Sequence, residues 1–261
     1  MNRHDGSAPP EDVDIKVFAD GADLDAMRNL IGNPLIEGFT TNPTLMRRDG
    51  ISDYKGFALD VLNIVTDRPV SFEVFADEFD EMEAQALEIA SWGANVNVKI
   101  PVTNTRGDSS AALVGRLSGL GIKINVTAMF TLDQVREMVD VLAPETPAIL
   151  SVFAGRVADS GRDPIPHMRV CVDLAAPRPL AQIMWAIPRE LLNILHAEEA
   201  GCHIITVTND FLKKLDNIGK DLGEFFRETV KMFYDDAVAA GYTIPTGDSW
   251  PEDFQARSRE I

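Results

Sequence analysis

Short runs of β-branched and aromatic residues alternate with stretches of helical period roughly eight times along this chain, and that alternation limits the fold more than any other feature. The predicted strands are residues 15–20, 36–41, 70–75, 96–102, 122–130, 148–153, 182–186 and 203–208. Helices are predicted between them. One covers residues 79–92, with Met82, Ala86, Ile89 and Ala90 on a shared apolar face, and another covers 132–142, opened by a Thr131 cap. Eight βα units without a linker predict an α/β protein, a (β/α)8 TIM barrel in one domain, with a doubly wound open sheet as the competing architecture. An extra C-terminal helix over 222–240 follows the eighth unit. The expected boundaries are a disordered lead at 1–13, the barrel domain at 14–245 and a loose tail at 246–261.

Inside the strands the pattern departs from that of an ordinary parallel sheet. Strands covered on both faces read as near-continuous apolar runs, yet several of these alternate strictly between apolar and polar. Asn97 and Lys99 share one face of their strand; so do Lys123, Asn125 and Thr127, Ser71 and Glu73, and Lys16 and Asp20. With helices over the apolar face, these polar groups point into the lumen. Asp20, Glu73, Lys99 and Thr127 come late in their strands, at the end where barrel active sites are built.

Composition narrows the function classes. A net charge of −17 argues against nucleic acid or an anionic membrane as partner, because a phosphate backbone is bound by clusters of Lys and Arg. The apolar runs fall short of the roughly 18 residues that suggest a membrane span. The polar start reads as a short disordered lead rather than a signal peptide, so a cytoplasmic protein is expected. Cys171 and Cys202 lack metal-ligand spacing and read as small core residues, and the four histidines are scattered.

A lumen carrying a lysine, two carboxylates, amides and hydroxyls suits amine-based covalent catalysis better than a metal site. Enclosure disfavours the charged form of the Lys99 amine, and nearby carboxylates can move the protons of imine formation and bond cleavage. No cofactor and no metal are expected.

The stretches ADGADL at 19–24, TTNPTL at 40–45, SFEV at 71–74, VKIPVT at 98–103, NVTAMF at 125–130, SVFAGR at 151–156 and AGC at 200–202 resemble the transaldolase family, in order and at suitable spacing, over roughly residues 14–216. The resemblance implies a metal-free class I mechanism. Lys99 would form a Schiff base with a ketose phosphate, and Asp20 would take the proton from the C4 hydroxyl. Glu73 and Thr127 would hold a proton-relaying water. Asn42, Asn125 and Ser151 would bind the retained three-carbon unit, with Thr41 and Phe153 also at the substrate site. Arg156 and Arg189 would grip a phosphate. Metal: none.

The implied activity is transfer of a dihydroxyacetone unit to an aldose acceptor, by a homo-oligomer acting on small sugar phosphates. Glu73 and Phe153 match the transaldolase state, where the related fructose-6-phosphate aldolases carry Gln and Tyr. Two departures concern the anionic tail: Ile187 stands where the family's Ala-Ser-Phe-Arg segment has serine, and Gly21 stands where a Thr or Ser follows the first-strand Asp. Three alternatives therefore stay open: an aldolase releasing free dihydroxyacetone, a transaldolase acting on a sulfonated or unphosphorylated sugar, and a sugar-phosphate binding protein without chemistry.

Overall fold

The computed structural model describes residues 14–244. The lead at 1–13 and the tail at 246–261 lie outside the described residues. Eight parallel strands form a closed barrel in chain order. They are β1 (Lys16–Asp20), β2 (Ile36–Thr40), β3 (Val70–Glu73), β4 (Val96–Pro101), β5 (Ile124–Met129), β6 (Ala148–Val152), β7 (Ala181–Trp185) and β8 (Ile204–Thr208). Closure is made by β1 against β8, with Lys16 opposite Ile204 and Asp20 opposite Thr208, which removes the open-sheet alternative. Each strand lies within about two residues of its predicted span.

The helices form where the sequence supplies both an apolar stripe and a start signal. Leu132–Val141 opens on a complete capping box, in which the Thr131 hydroxyl accepts from the Gln134 N–H and the Gln134 side chain accepts from the Thr131 N–H. Phe79–Ala90 buries Met82, Ala86 and Ile89, three of its four predicted core positions. Cys171 and Cys202 are both buried and free, and burial pushes their thiols up to about 12.

The chain separates into two compact units, with the barrel wholly in the one that ends at Ile218. The other contains the C-terminal helix Leu222–Ala239, which is capped by Asp221 accepting from the Glu224 N–H. That helix ends one residue from its predicted limit.

Two apolar layers hold the barrel. The larger lies between strands and helices and includes Phe39, Phe72, Val98, Ile100, Val126, Leu150 and Trp185. A smaller cluster of Phe18, Ile149, Met184 and Ile204 occupies inward positions, with Phe18, Ile149 and Ile204 each two residues before a polar group on the same face, Asp20, Ser151 and Thr206. Gly38 makes room for it, since a Cβ there would sit 2.5 Å from the Phe18 ring. This plug forms the floor of the polar upper lumen.

Candidate active site

At the C-terminal end of the strands the inward residues form a connected cup. Lys99, only 9% exposed, places Nζ 3.0 Å from Glu73 Oε2 and donates to the Thr41 carbonyl at 3.1 Å. Strand register creates this meeting, because β3 and β4 pair Glu73 directly with Lys99. The enclosed amine expected from the sequence therefore has a counter-charge.

Across the cup, Asp20 Oδ1 accepts from Thr40 Oγ1 at 2.8 Å, and Thr40 Oγ1 lies 2.7 Å from Thr206 Oγ1. Burial raises the Asp20 carboxyl above its ordinary value. The Lys99 charge and the Thr40 hydrogen bond work the other way, and the Glu73 charge adds to the rise.

The cup wall between β3 and β6 is a closed hydrogen-bond chain. Asn125 donates to Ser71 Oγ at 3.0 Å and accepts from Ser151 Oγ at 2.7 Å. Thr127 differs from these residues. Its hydroxyl is buried and has no hydrogen-bond partner among the described residues. The register between β5 and β6 shifts between Val126 and Met129, with Ala128 at φ 59°, so a bulge re-aims the strand beside Thr127. An orphaned buried hydroxyl at a bulge is the usual mark of a group that finds its partner in a ligand or water.

Thr41 and Asn42 are tied into the scaffold. The Thr41 hydroxyl donates to the Ser71 carbonyl at 2.9 Å, and Asn42 caps the helix Pro43–Arg48 by accepting from the Thr44 N–H at 2.8 Å. Pro43 at the first helical position supplies the fixed φ that such a start favours. The Asn42 amide nitrogen donates to no group among the described residues.

Phe153 packs against Phe130 with ring centroids 5.7 Å apart and the rings tilted by 52°. Arg156 is exposed on the helix Ala154–Asp159, and its guanidinium makes no ion pair or hydrogen bond among the described residues. Arg189 does not share that freedom. Its Nε and Nη2 reach Asp159 at 3.0 and 2.5 Å in a two-pronged pair. The segment between them is strained, with the β-branched Ile187 at φ 58°. Its carbonyl presses on Gly155, where a Cβ would lie 1.6 Å from Ile187 O. Gly155→Ala is thus expected to cost at least about 2–4 kcal/mol in thermal or denaturant unfolding. A variant as stable as the parent would contradict this close approach.

Sequence reasoning missed Tyr54. Its hydroxyl accepts from the Glu73 N–H at 2.7 Å and donates to the Glu73 carbonyl at 3.0 Å, clamping the residue that faces Lys99. Burial raises the phenol's pKa, so it stays a neutral donor. Nothing in the local sequence marks this tyrosine, because its partner lies 19 residues away on a strand end. Tyr54→Phe leaves the Glu73 N–H unpaired and is expected to lower stability by about 1–3 kcal/mol. An unchanged urea midpoint would show the clamp to be dispensable. Thr40, which holds Asp20, and Thr206, which bonds the Thr40 hydroxyl, were missed in the same way.

A closed parallel barrel with a lysine–carboxylate pair and a second carboxylate at its C-terminal mouth defines an enzyme architecture. Sequence comparison is more specific. Residues 17–244 match the family Transaldolase/Fructose-6-phosphate aldolase. A "Probable transaldolase" of Streptococcus agalactiae is 37% identical over 196 residues, covering 74% of this chain and 86% of that protein. One from Dehalococcoides mccartyi is 31% identical over 202 residues, covering 77% and 90%. The chain belongs to the transaldolase/fructose-6-phosphate aldolase family and is an enzyme of the transaldolase/aldolase type.

Solved structures show the shared fold. KGPDC from Streptococcus mutans matches with a TM-score of 0.51 at 9% identity, over 75% of this chain and 88% of that one. The tryptophan synthase alpha subunit from Campylobacter jejuni matches with 0.53 at 10% identity, over 78% and 95%.

Proposed function

We propose that this protein is a transaldolase that moves a dihydroxyacetone unit from a ketose to an aldose through a Schiff base on Lys99. The observation that carries this reading is the placement of the nearly buried Lys99 amine 3.0 Å from Glu73 in a cup that also holds Asp20. Glu73 accepts the proton that the resting ammonium must lose before the amine attacks the ketone carbon. The carbinolamine then loses water to give the imine. Glu73 and the unpartnered Thr127 hydroxyl hold the water that carries protons through this step.

Asp20 takes the proton from the C4 hydroxyl as the C3–C4 bond breaks, releasing an aldehyde and leaving an enamine on Lys99. The enamine attacks the acceptor aldehyde, and the steps run in reverse. A carboxyl whose pKa burial has raised is a better proton acceptor near neutral pH than an ordinary surface aspartate. Asn125, Ser151 and the Asn42 amide hydrogen-bond the three-carbon unit, with Thr41 and Phe153 forming the adjoining wall. The unpaired Arg156 grips the anionic tail, and Arg189 contributes if it leaves Asp159.

A second reading concerns the tail group. With Arg189 engaged by Asp159 and the apolar Ile187 at the neighbouring loop position, a sulfonated or unphosphorylated sugar fits as well. The test is turnover of phosphorylated, sulfonated and unmodified ketoses, each with and without an aldose acceptor. Transfer requires the acceptor. Equal release of dihydroxyacetone without one would assign the aldolase activity instead, and the preferred ketose reports the tail. The setting is read as cytoplasmic, with the protein acting as a homo-oligomer on small sugars, without cofactor, nucleic acid or membrane.

A further inference from the structure

The opposite mouth of the barrel holds a second cavity of about 560 Å³, within the size range of small-ligand sites. The plug of Phe18, Ile149, Met184 and Ile204 separates it from the catalytic cup. Asn97 and Gln182 reach it from the strands that carry Lys99 and Met184, each two residues earlier on the same inward face.

Its polar groups are arranged but unused. Asn97 is only 5% exposed, yet its amide makes no hydrogen bond among the described residues, and the Gln182 amide makes none either. Both amides line the cavity with their donors and acceptors open to water or a ligand. Lys123 lines the same cavity, and among the described residues its ammonium donates only to the Ala94 carbonyl, at 2.9 Å.

Arg68 is locked in place by Asp67, with Nε at 2.9 Å and Nη2 at 3.0 Å, and by the Ile36 carbonyl at 2.5 Å. Asn95 anchors that loop by donating to the Val65 and Arg68 carbonyls. Lys123, Arg68 and Asp67 sum to one positive charge, a local exception in a chain of net charge −17. Leu180 and the Phe18 ring supply an apolar wall beside these groups.

From this geometry we infer that the N-terminal mouth is a second binding site, for a small metabolite bearing a phosphate or carboxylate oxyanion on a short apolar stem. The oxyanion meets the Lys123 ammonium and the Asn97 and Gln182 amides; the stem lies against Phe18 and Leu180. The site is separate from the chemistry above the plug and does not depend on which sugar is turned over there.

Calorimetric titration of phenyl phosphate at matched ionic strength tests the assignment, using the full chain and its Lys123→Met, Gln182→Leu and Arg156→Met variants. Lys123 is exposed, so its replacement leaves the core intact, which circular dichroism verifies. Binding is expected to persist in Arg156→Met and to weaken at least about tenfold in Lys123→Met, the scale of a lost charge-assisted hydrogen bond. Gln182→Leu is expected to weaken it less. If Arg156→Met abolishes all binding, or if Lys123→Met and Gln182→Leu bind like the parent, the second site is refuted.

Discussion

Replacing Lys99 by methionine is expected to lower turnover by at least about four orders of magnitude while leaving the protein folded, because covalent catalysis has no substitute for the amine that forms the imine. Methionine keeps an unbranched apolar stem only one atom shorter, so β4 can retain its packing. The change also deprives Glu73 of its counter-charge at 3.0 Å and the Thr41 carbonyl of a donor. A modest stability change should accompany the catalytic loss. Unfolding curves and steady-state rates measured together separate the two effects. Residual turnover within tenfold of the parent, in a cooperatively folded variant, would remove Lys99 from the chemistry.

Asp20→Asn should have the second-largest effect on rate and should raise stability at neutral pH. Loss of the base is expected to slow bond cleavage by about 10²- to 10⁴-fold while imine formation continues, so reductive trapping should retain the uncleaved ketose. Asparagine keeps an oxygen to accept from Thr40 but removes a carboxylate that burial disfavours. Because the folded-state pKa is raised above 3.8, the folded protein binds more protons than the unfolded chain, and the wild type loses stability as pH rises through that interval. The variant is therefore expected to melt higher than the parent above the folded-state value, with the gain vanishing below about pH 3.8. A variant less stable at neutral pH, or one that turns over normally, would contradict the role.

The strands and several inward faces could be read in advance because alternation depends only on local period. Lys99, Asn97, Asp20 and Glu73 stand on inward positions that a period of two predicts, and Thr131 caps its helix through a pattern four residues long. What escaped the reading depends on contacts distant in sequence or on backbone angles without a residue signature. The Tyr54 clamp joins a helix start to a strand end, and the Asp159–Arg189 pair spans 30 residues. The bulge at Ala128 and the left-handed Ile187 fall on residue types that rarely adopt such angles, so no composition rule finds them. Gly155, read only as part of a motif, acquires its physical reason from the Ile187 carbonyl that rests against it. Ring closure through β1 and β8 likewise had to be observed, since eight βα units are compatible with an open sheet.

The most direct test of the Schiff-base account is the intact mass of the protein after incubation with a ketose phosphate and borohydride reduction, followed by peptide mapping. The account predicts one stable addition equal to a reduced three-carbon fragment, carried by the peptide that contains Lys99. No added mass with any ketose that the enzyme turns over, or an addition mapped to another lysine, would contradict it.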